Sequence, residues 1–198
     1  MRDASKLPPP AKGNPTVDAS YDAVIVGGGP AGLAAALALA RTGIRIAVAA
    51  PPHRPAGDRP DMRTAALFPG SVAMLDNLGV WQSLQQVSEP LRAIRIIDDR
   101  GSLLRAPEVT FRPEEIGRTS FGYNVPNTPL VEALNAACAK PGSGVELLAT
   151  AGVKTLTSDA TEVLLELAEG QLVRTKLVAG ADGRRSLCRQ SAHIGTDE

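Results

Sequence analysis

Three glycines at fixed spacing are the residues of this sequence with the clearest chemical use. Gly27, Gly29 and Gly32 form the pattern G-x-G-x-x-G between a β-branched run, which predicts a strand, and an almost wholly apolar run, which predicts a helix. The first glycine permits a tight turn, the second lets the backbone approach a pyrophosphate, and the third lets the helix pack on the strand. Because the phosphates would face the helix N-terminus, this context favours dinucleotide binding over a turn without a ligand.

The residues next to the glycines extend the predicted phosphate-binding turn but leave the ribose unassigned. Pro30 opens the predicted helix, and Ala31 adds little bulk beside the phosphates. An Asp or Glu roughly 20 residues further on usually binds the ribose hydroxyls, whereas the second predicted strand here ends in Ala49-Ala50-Pro51. Backbone groups or a neighbour such as Arg54 are the candidates for binding the ribose. However, the loop residues His53, Arg54, Asp58 and Arg59 are more typical of solvated surface charges, so none is assigned to the ribose.

The elements around these glycines predict an α/β fold. A strand, the glycine turn, a buried helix from about Pro30 to Thr42 that ends at Gly43, and a second strand form a βαβ unit. Further along, a hairpin is expected to pair Ile94–Ile96 with Leu103–Leu104, and a helix is expected to begin at Thr128 as its N-cap. Four β-rich runs near the end predict an antiparallel β-meander: Val145–Thr150, Gly152–Thr157, Glu162–Leu167 and Leu172–Ala179.

Composition and the N-terminal sequence exclude several classes of protein. Of the 198 residues, 43% are hydrophobic and 21% charged, which is typical of globular domains. Lys plus Arg equals Asp plus Glu, at 21 each, so no positive excess is available for a nucleic-acid backbone, and no nucleic-acid partner is expected. Residues 1–20 are Pro-rich and are interpreted as a disordered tail, with one domain over residues 21–198.

The cysteines and the lengths of the apolar runs indicate the cellular compartment in which the protein is expected. Cys138 and Cys188 form no CxxC pair, and with two histidines the sequence predicts no metal site. The N-terminus lacks the apolar segment of a signal peptide, and the longest apolar run, Ala31–Ala40, is about half the roughly 20 residues that a membrane span needs. These observations predict a cytoplasmic protein in which both cysteines serve packing.

Two further blocks follow the glycine pattern in the sequence. One is Asp61-x-Arg63-x-x-Ala66-Leu67 with Ser71-x-x-x-Leu75-x-x-Leu78-Gly79-x-Trp81, and the other is Val178-Ala179-Gly180-Ala181-Asp182-Gly183-x-x-Ser186-x-x-Arg189. In this order, the three blocks resemble the FAD-dependent aromatic monooxygenases of the p-hydroxybenzoate hydroxylase fold. The middle block and the stretch Gly122–Asn127 are most similar to the branch of ubiquinone-biosynthesis hydroxylases.

The resemblance implies a set of cofactor-binding residues. FAD is expected on Gly27, Gly29, Pro30, Ala31 and Gly32. The other expected contacts are Arg63 near the flavin pyrophosphate and the NADPH route, Asp182 and Gly183 in the groove for NADPH and flavin, and Asn127 near the ribityl chain.

Each of the later assignments has a structural alternative. Arg63 could simply cap or decorate the following helix without binding a cofactor, and Asn127 could be an N-cap. Asp182-Gly183 could be a strand-to-helix turn, with Ser186 near the helix start.

The resemblance also implies a reaction. FAD and NAD(P)H would support the transfer of one oxygen atom of O2 to an aromatic ring, with a polyprenyl phenol precursor of ubiquinone as the small-molecule substrate. Since the flavin carries out the difficult chemistry, no catalytic side chain is assigned. A lipid-like substrate would bring peripheral membrane association.

Members of this family continue beyond the Asp182-Gly183 motif into a substrate-covering sheet. The expected fold is therefore a Rossmann-like FAD-binding domain, with a parallel sheet and a β-meander, truncated before that sheet. A missing C-terminal half or a second copy would cover apolar surface that the meander leaves exposed. The alternatives are a non-catalytic FAD- or nucleotide-binding remnant and an NAD(P)-dependent dehydrogenase; the meander and the Asp182 block argue against the dehydrogenase.

Overall fold

In the computed structural model, the described part of the chain comprises residues 17–53, 61–99, 101 and 106–196. Strand and helix alternate at its start, and four strands follow one another near its end. The strands are β1 (Ala19–Val26), β2 (Ile46–Ala50), β3 (Thr64–Leu67), β4 (Glu89–Pro90), β5 (Ile94–Ile96), β6 (Val109–Phe111), β7 (Tyr123–Pro126), β8 (Val145–Ala149), β9 (Val153–Ser158), β10 (Val163–Leu167) and β11 (Leu172–Gly180).

The helices lie mainly on one face of the larger sheet. Residues 1–16 of the predicted tail lie outside the described residues, and β1 begins two residues before the predicted domain start at 21. The α-helices are α1 (Pro30–Ala40), α2 (Pro69–Asn77), α3 (Trp81–Leu84), α4 (Asn127–Ala139) and α5 (Leu187–Ser191), and short 3-10 turns occupy Gln85–Val87 and Pro113–Ile116.

Six strands form the main sheet, in the order β8-β2-β1-β11-β10-β9. The first four of these run parallel, and β10 and β9 then continue the sheet antiparallel. This arrangement confirms the predicted Rossmann-like parallel sheet with an antiparallel meander. The meander, however, consists of β9, β10 and β11 alone.

The assignment of Val145–Thr150 to the meander was wrong. The strand in this run, β8, lies at the opposite edge of the sheet and pairs in parallel with β2, with Val48 opposite Leu147. Strand propensity in these residues was recognised correctly. The pairing partner of the strand could not be recognised from these residues, because it depends on the path of the chain. Helix α4, which precedes this run, brings the chain back beside β2, as in a parallel crossover connection.

Strand β1 lies between β2 and β11 and is therefore the centre of the parallel part. Val24 and Ile25 are fully buried, as expected for a parallel strand covered on both faces. Helix α1 packs on one of these faces through Leu33, Ala36 and Leu37. The turn after α1 places Gly43 at φ +83°, where its N–H donates to the carbonyl of Ala40 at 3.0 Å, so the predicted role of Gly43 in ending the helix is confirmed. The last helical residue is Ala40, two residues before the predicted Thr42.

Two apolar cores lie on opposite faces of the main sheet. On the α1 face, Leu134 and Cys138 of α4 pack with Leu33, and Trp81 meets Tyr123 edge to face at 5.0 Å between ring centroids. On the other face, side chains of β10 and β11 pack against β1 and β2; the buried residues of this cluster are Tyr21, Val24, Val26, Ala47, Ala49, Leu165, Leu167 and Val173.

The two smaller sheets are antiparallel, with the orders β3-β7-β4 and β5-β6. The predicted hairpin partner of β5 was wrong, since β5 pairs with Val109–Phe111, while Leu103 and Leu104 lie outside the described residues. The β5–β6 ribbon carries exposed apolar side chains, among them Ile96 and Phe111. The meander contributes one large exposed apolar residue among those described, Leu177, so its expected apolar exposure is largely absent.

No helix in the described part of the chain is long and apolar enough to cross a membrane.

Leucine truncation tests the assignment of the α1–α4 core. Leu134 is 1% exposed, and its replacement by Ala should lower the free energy of unfolding by about 2–5 kcal/mol through lost burial and a cavity. Leu177→Ala is the matched control, because this leucine is 54% exposed, and it should cost only about 0.5–1 kcal/mol. Denaturant unfolding of both variants measures the difference, and equal losses would contradict the packing described.

Candidate functional site

The glycine pattern lies where three neighbouring parallel strands end. Strands β2, β1 and β11 run in the same direction, so their carboxyl ends meet at one edge of the sheet. The Gly27 N–H donates to the Ala49 carbonyl at 2.9 Å, and the Ala181 N–H donates to the Val26 carbonyl at 2.7 Å. The chain leaving β1 is thereby tied to the chain leaving each neighbour.

The first and third glycines are required by close backbone packing. Gly27 has φ +117°, and a Cβ atom built on it would lie 2.3 Å from the Ala181 carbonyl oxygen. A Cβ atom on Gly32 would lie 2.3 Å from the Gly27 carbonyl oxygen. These contacts match the tight turn and the close helix–strand packing that the spacing predicts. They also place the Gly180–Gly183 segment directly against the glycine turn, a contact that the sequence did not indicate.

Gly29 differs from both, because it faces open space. It is the N-cap of α1 with φ −77° and ψ 172°, and no atom lies within 4 Å of a Cβ built on it. The first bond of the helix runs from the Leu33 N–H to the Gly29 carbonyl at 3.0 Å, so the N–H groups of Ala31 and Gly32 have no acceptor within the helix. With Pro30 at N1, this open helix start fits a pyrophosphate, which binds free N–H groups at the positive end of a helix dipole.

Asp182 is engaged in its own turn. Its two carboxylate oxygens accept hydrogen bonds from the Ser186 hydroxyl at 2.6 Å and from the Cys188 N–H at 3.1 Å. Burial raises the pKa of Asp182, but these hydrogen bonds outweigh it and hold the pKa below its ordinary value. The structural alternative is therefore realised: Asp182 fixes the strand-to-helix turn, and Ser186 caps α5 by accepting the Arg189 N–H at 3.0 Å.

Gly183 follows with φ +82° and no atom within 4 Å of its Cβ position. Its backbone is thus in the left-handed region and next to open space. Contact of Asp182 or Gly183 with a cofactor stays a prediction.

Arg63 does not cap the following helix. It precedes β3, and its Nε and Nη2 atoms donate to the two carboxylate oxygens of Asp61, each at 2.8 Å. These bonds, together with the hydrogen bond from the Arg63 backbone N–H, hold the pKa of Asp61 well below its usual range. The side-chain bonds and the negative charge of Asp61 raise the pKa of Arg63. The side chain of Arg63 is 81% exposed, so a ligand can reach its guanidinium.

Asn127 lies beside this pair. It is the first residue of α4, with Pro126 at the N-cap, so the predicted helix start at Thr128 and the N-cap alternative for Asn127 are both wrong. The Asn127 N–H donates to the Arg63 carbonyl at 3.0 Å, and its side-chain amide lies 3.5 Å from Asp61 Oδ2. The pairing of β3 with β7 brings these distant residues together, with Thr64 opposite Pro126.

A cavity of about 500 Å³ lies at the ends of β2 and β8, where the ribose-binding acid is missing. Gly28 and Ala50 line it together with His53 and Asn135. His53, which the sequence favoured as a solvated loop residue, and Asn135 are the candidate ribose contacts. The sequence did not indicate Asn135, since it comes from α4, far along the chain. Arg54, the neighbour proposed from the sequence, lies outside the described residues.

The cysteines do not form a reactive centre. Cys138 is buried, and burial raises the pKa of its thiol to about 11. Burial and the nearby Asp182 carboxylate raise the pKa of Cys188 to about 11 as well. Both thiols are therefore protonated near neutral pH and poorly suited to act as nucleophiles.

A family model described as an FAD binding domain matches residues 20–198. The chain belongs to this family. Membership confirms the resemblance that the three sequence blocks indicated, and it confirms FAD as the expected cofactor. The open start of α1 fits that assignment.

Two curated relatives share this sequence over most of its length. Ubiquinone hydroxylase UbiL of Rhodospirillum rubrum is 35% identical over an alignment that covers 95% of this chain. The 3-demethoxyubiquinol 3-hydroxylase of Escherichia coli K12 is 36% identical over 86% of this chain. The chain spans 43% of the length of each of these relatives.

Solved structures share the fold. The flavin-dependent monooxygenase PieE, crystallised with FAD and substrate, is 26% identical with a TM-score of 0.68, over 91% of this chain and 33% of its own. The p-nitrophenol 4-monooxygenase PnpA of Pseudomonas putida DLL-E4 has a TM-score of 0.67 at 24% identity, over 88% of this chain and 44% of its own.

Glycine substitutions test the packing at the turn. Gly27→Ala and Gly32→Ala should both destabilise the fold, Gly27→Ala by at least about 1–3 kcal/mol because it adds backbone strain to the clash with Ala181. Gly29→Ala should change the free energy of unfolding by no more than about 1 kcal/mol, since its φ suits Ala and its Cβ position is open. Thermal or denaturant unfolding distinguishes the three, and equal stability of all of them would contradict this packing.

The Asp182 turn should make stability pH-dependent. Because the folded-state pKa of Asp182 is lowered, its contribution is complete above the ordinary carboxyl pKa, about 3.9, and is lost as pH falls through the folded value. Asp182→Ala should cost about 1–3 kcal/mol at pH 7. The difference from the wild type should shrink as the pH is lowered from 5 towards 3, as measured by urea unfolding. A difference that is constant over this range would rule out ionised Asp182 as its source.

Proposed function

We propose that this chain is the FAD-binding part of a monooxygenase that uses NAD(P)H and O2 to hydroxylate an aromatic ring. The observation that carries the proposal is the geometry at the start of α1, in a chain that belongs to the FAD binding domain family. Gly29 faces open space there, while the neighbouring glycines of the pattern pack against the Asp182 turn. The 35% identity with ubiquinone hydroxylase UbiL supports a polyprenyl phenol precursor of ubiquinone as the substrate. Such a substrate is lipid-like, so peripheral membrane association of the whole enzyme belongs to the same proposal.

The chain's own residues would bind and orient the cofactor. The N–H groups of Ala31 and Gly32 would donate to the pyrophosphate, over the space that Gly29 leaves open. Arg63 would contribute positive charge, and Asn127 would lie towards the ribityl chain. Bound FAD would supply the chemistry of electron transfer from NAD(P)H and of oxygen transfer from O2, which no side chain can perform.

The dehydrogenase alternative is less well supported. A nicotinamide-binding Rossmann domain would continue with alternating strands and helices. Here β9, β10 and β11 extend the sheet antiparallel, and the Asp182 turn lies against the glycine pattern. Both features favour the flavin monooxygenase proposal.

Cofactor binding is the first test. The purified chain should bind FAD, with flavin absorbance that comigrates with the protein on a sizing column. Gly29→Ala should weaken FAD binding about tenfold or more, because its methyl group fills the space that the pyrophosphate needs while the fold stays intact. Gly70→Ala is the matched control, since its Cβ position is also open but lies outside the glycine pattern, and it should leave the affinity unchanged.

The reaction is tested on the FAD-loaded chain together with the rest of the enzyme of which it is the FAD-binding part. NAD(P)H oxidation that depends on a polyprenyl phenol, with one oxygen atom added to the ring by mass spectrometry, is the expected result. FAD binding without oxidation of NADH or NADPH would favour a non-catalytic FAD-binding module. A folded chain that does not bind FAD would refute the proposal.

A further inference from the structure

The ion pair between Asp61 and Arg63 uses one edge of the guanidinium, and no other described residue bonds to the second edge. Nε and Nη2 donate to the two oxygens of Asp61, which is the side-on edge of the fork. Within the described residues, Nη1 makes no hydrogen bond, and the side chain is largely exposed. The end-on edge, formed by Nη1 and the second Nη2 hydrogen, is therefore open to an anion.

Asp61 restrains the backbone of Arg63 as well as its guanidinium. It also accepts the Arg63 backbone N–H at 3.0 Å, and the Asn127 amide lies 3.5 Å from it. The Asn127 N–H in turn donates to the Arg63 carbonyl at 3.0 Å, which joins this short segment to the start of α4. Backbone and side chain of Arg63 are thus restrained from the same carboxylate.

We infer that Asp61 is a positioning residue that holds Arg63 with its end-on edge presented to a phosphate of the bound dinucleotide. The inference rests on the proposed function and adds to it a role for Asp61, which belongs to the second sequence block but received no role at the site from the sequence. An arginine held by a carboxylate loses less rotamer freedom when it binds a phosphate, so less of the binding free energy is spent on ordering it. An exposed ion pair contributes little to folding stability, which leaves orientation as its main effect.

The opposite effect of Asp61 on dinucleotide affinity also has a defined physical cause. A carboxylate close to a phosphate repels it, so an Asp61 that merely masked Arg63 would weaken dinucleotide binding. Its removal would then tighten binding. The direction of the change in FAD affinity therefore distinguishes positioning from masking.

A double-mutant cycle on FAD affinity tests the inference. The variants are Asp61→Ala, Arg63→Ala and the double variant, with the dissociation constant for FAD measured by flavin fluorescence titration. Arg63→Ala should weaken binding about tenfold, as expected for loss of a charge-assisted hydrogen bond, and Asp61→Ala about three- to tenfold. The double variant should bind no more weakly than Arg63→Ala, because Asp61 acts through Arg63.

Controls separate orientation from a general effect on the fold. Lys154→Ala breaks an exposed pair with Glu166, 2.6 Å long, at the far edge of the main sheet and should leave the FAD affinity unchanged. Asp61→Glu keeps the carboxylate and should recover part of the affinity that Asp61→Ala loses. Melting temperatures of all variants should stay near that of the wild type.

The outcomes distinguish the inference from the proposal beneath it. A wild-type chain that is folded but does not bind FAD would overturn the proposed function and this inference together. If the wild type binds FAD, then unchanged or tighter binding by Asp61→Ala, additive losses in the double variant, or no recovery by Asp61→Glu would overturn the positioning role alone.

Discussion

The close approach of two backbone segments at the end of β1 is the constraint on which the site depends. Gly27 lies against the carbonyl of Ala181 at a distance that no side chain would permit, and Gly32 lies equally close to Gly27. These contacts bring α1 down onto the strand ends and place its N-terminus beside the Asp182 turn. A Cβ atom at Gly27 would force the two segments apart. The space in front of Gly29 would then no longer be bounded on that side.

A second structural principle is that long-range strand pairing gathers the polar residues. Asp61 and Arg63 precede β3, Asn127 follows β7, and the antiparallel β3–β7 pair brings the three within hydrogen-bond distance. Similarly, the cavity at the missing ribose acid combines residues of α1, β2, α4 and β8. Binding groups are thus supplied by distant parts of the chain, while the rigid main sheet determines where they meet.

Local chemistry allowed part of the fold to be predicted from the sequence. The βαβ unit followed from β-branched and apolar runs around the glycines, and Gly43 ended α1 because a left-handed residue there favours glycine. The hairpin of β5 and the start of α4 were misjudged. Both depend on which strand pairs with which, since β6 is the partner of β5 and Pro126 at the end of β7 occupies the N-cap.

The sequence by itself determined the glycine turn, the family and its cofactor, because steric demands on Gly27 and Gly32 act over a few residues and leave a fixed spacing. Only the tertiary structure decided that β8 lies beside β2, that Asp182 is engaged in its own turn, and that Asp61 holds Arg63 next to Asn127. The physical reason is that pairing and hydrogen bonding between distant segments depend on relative position in space. The spacing of residues along the chain reflects the local steric constraints on the glycines. It contains little information about pairing and hydrogen bonding between distant segments.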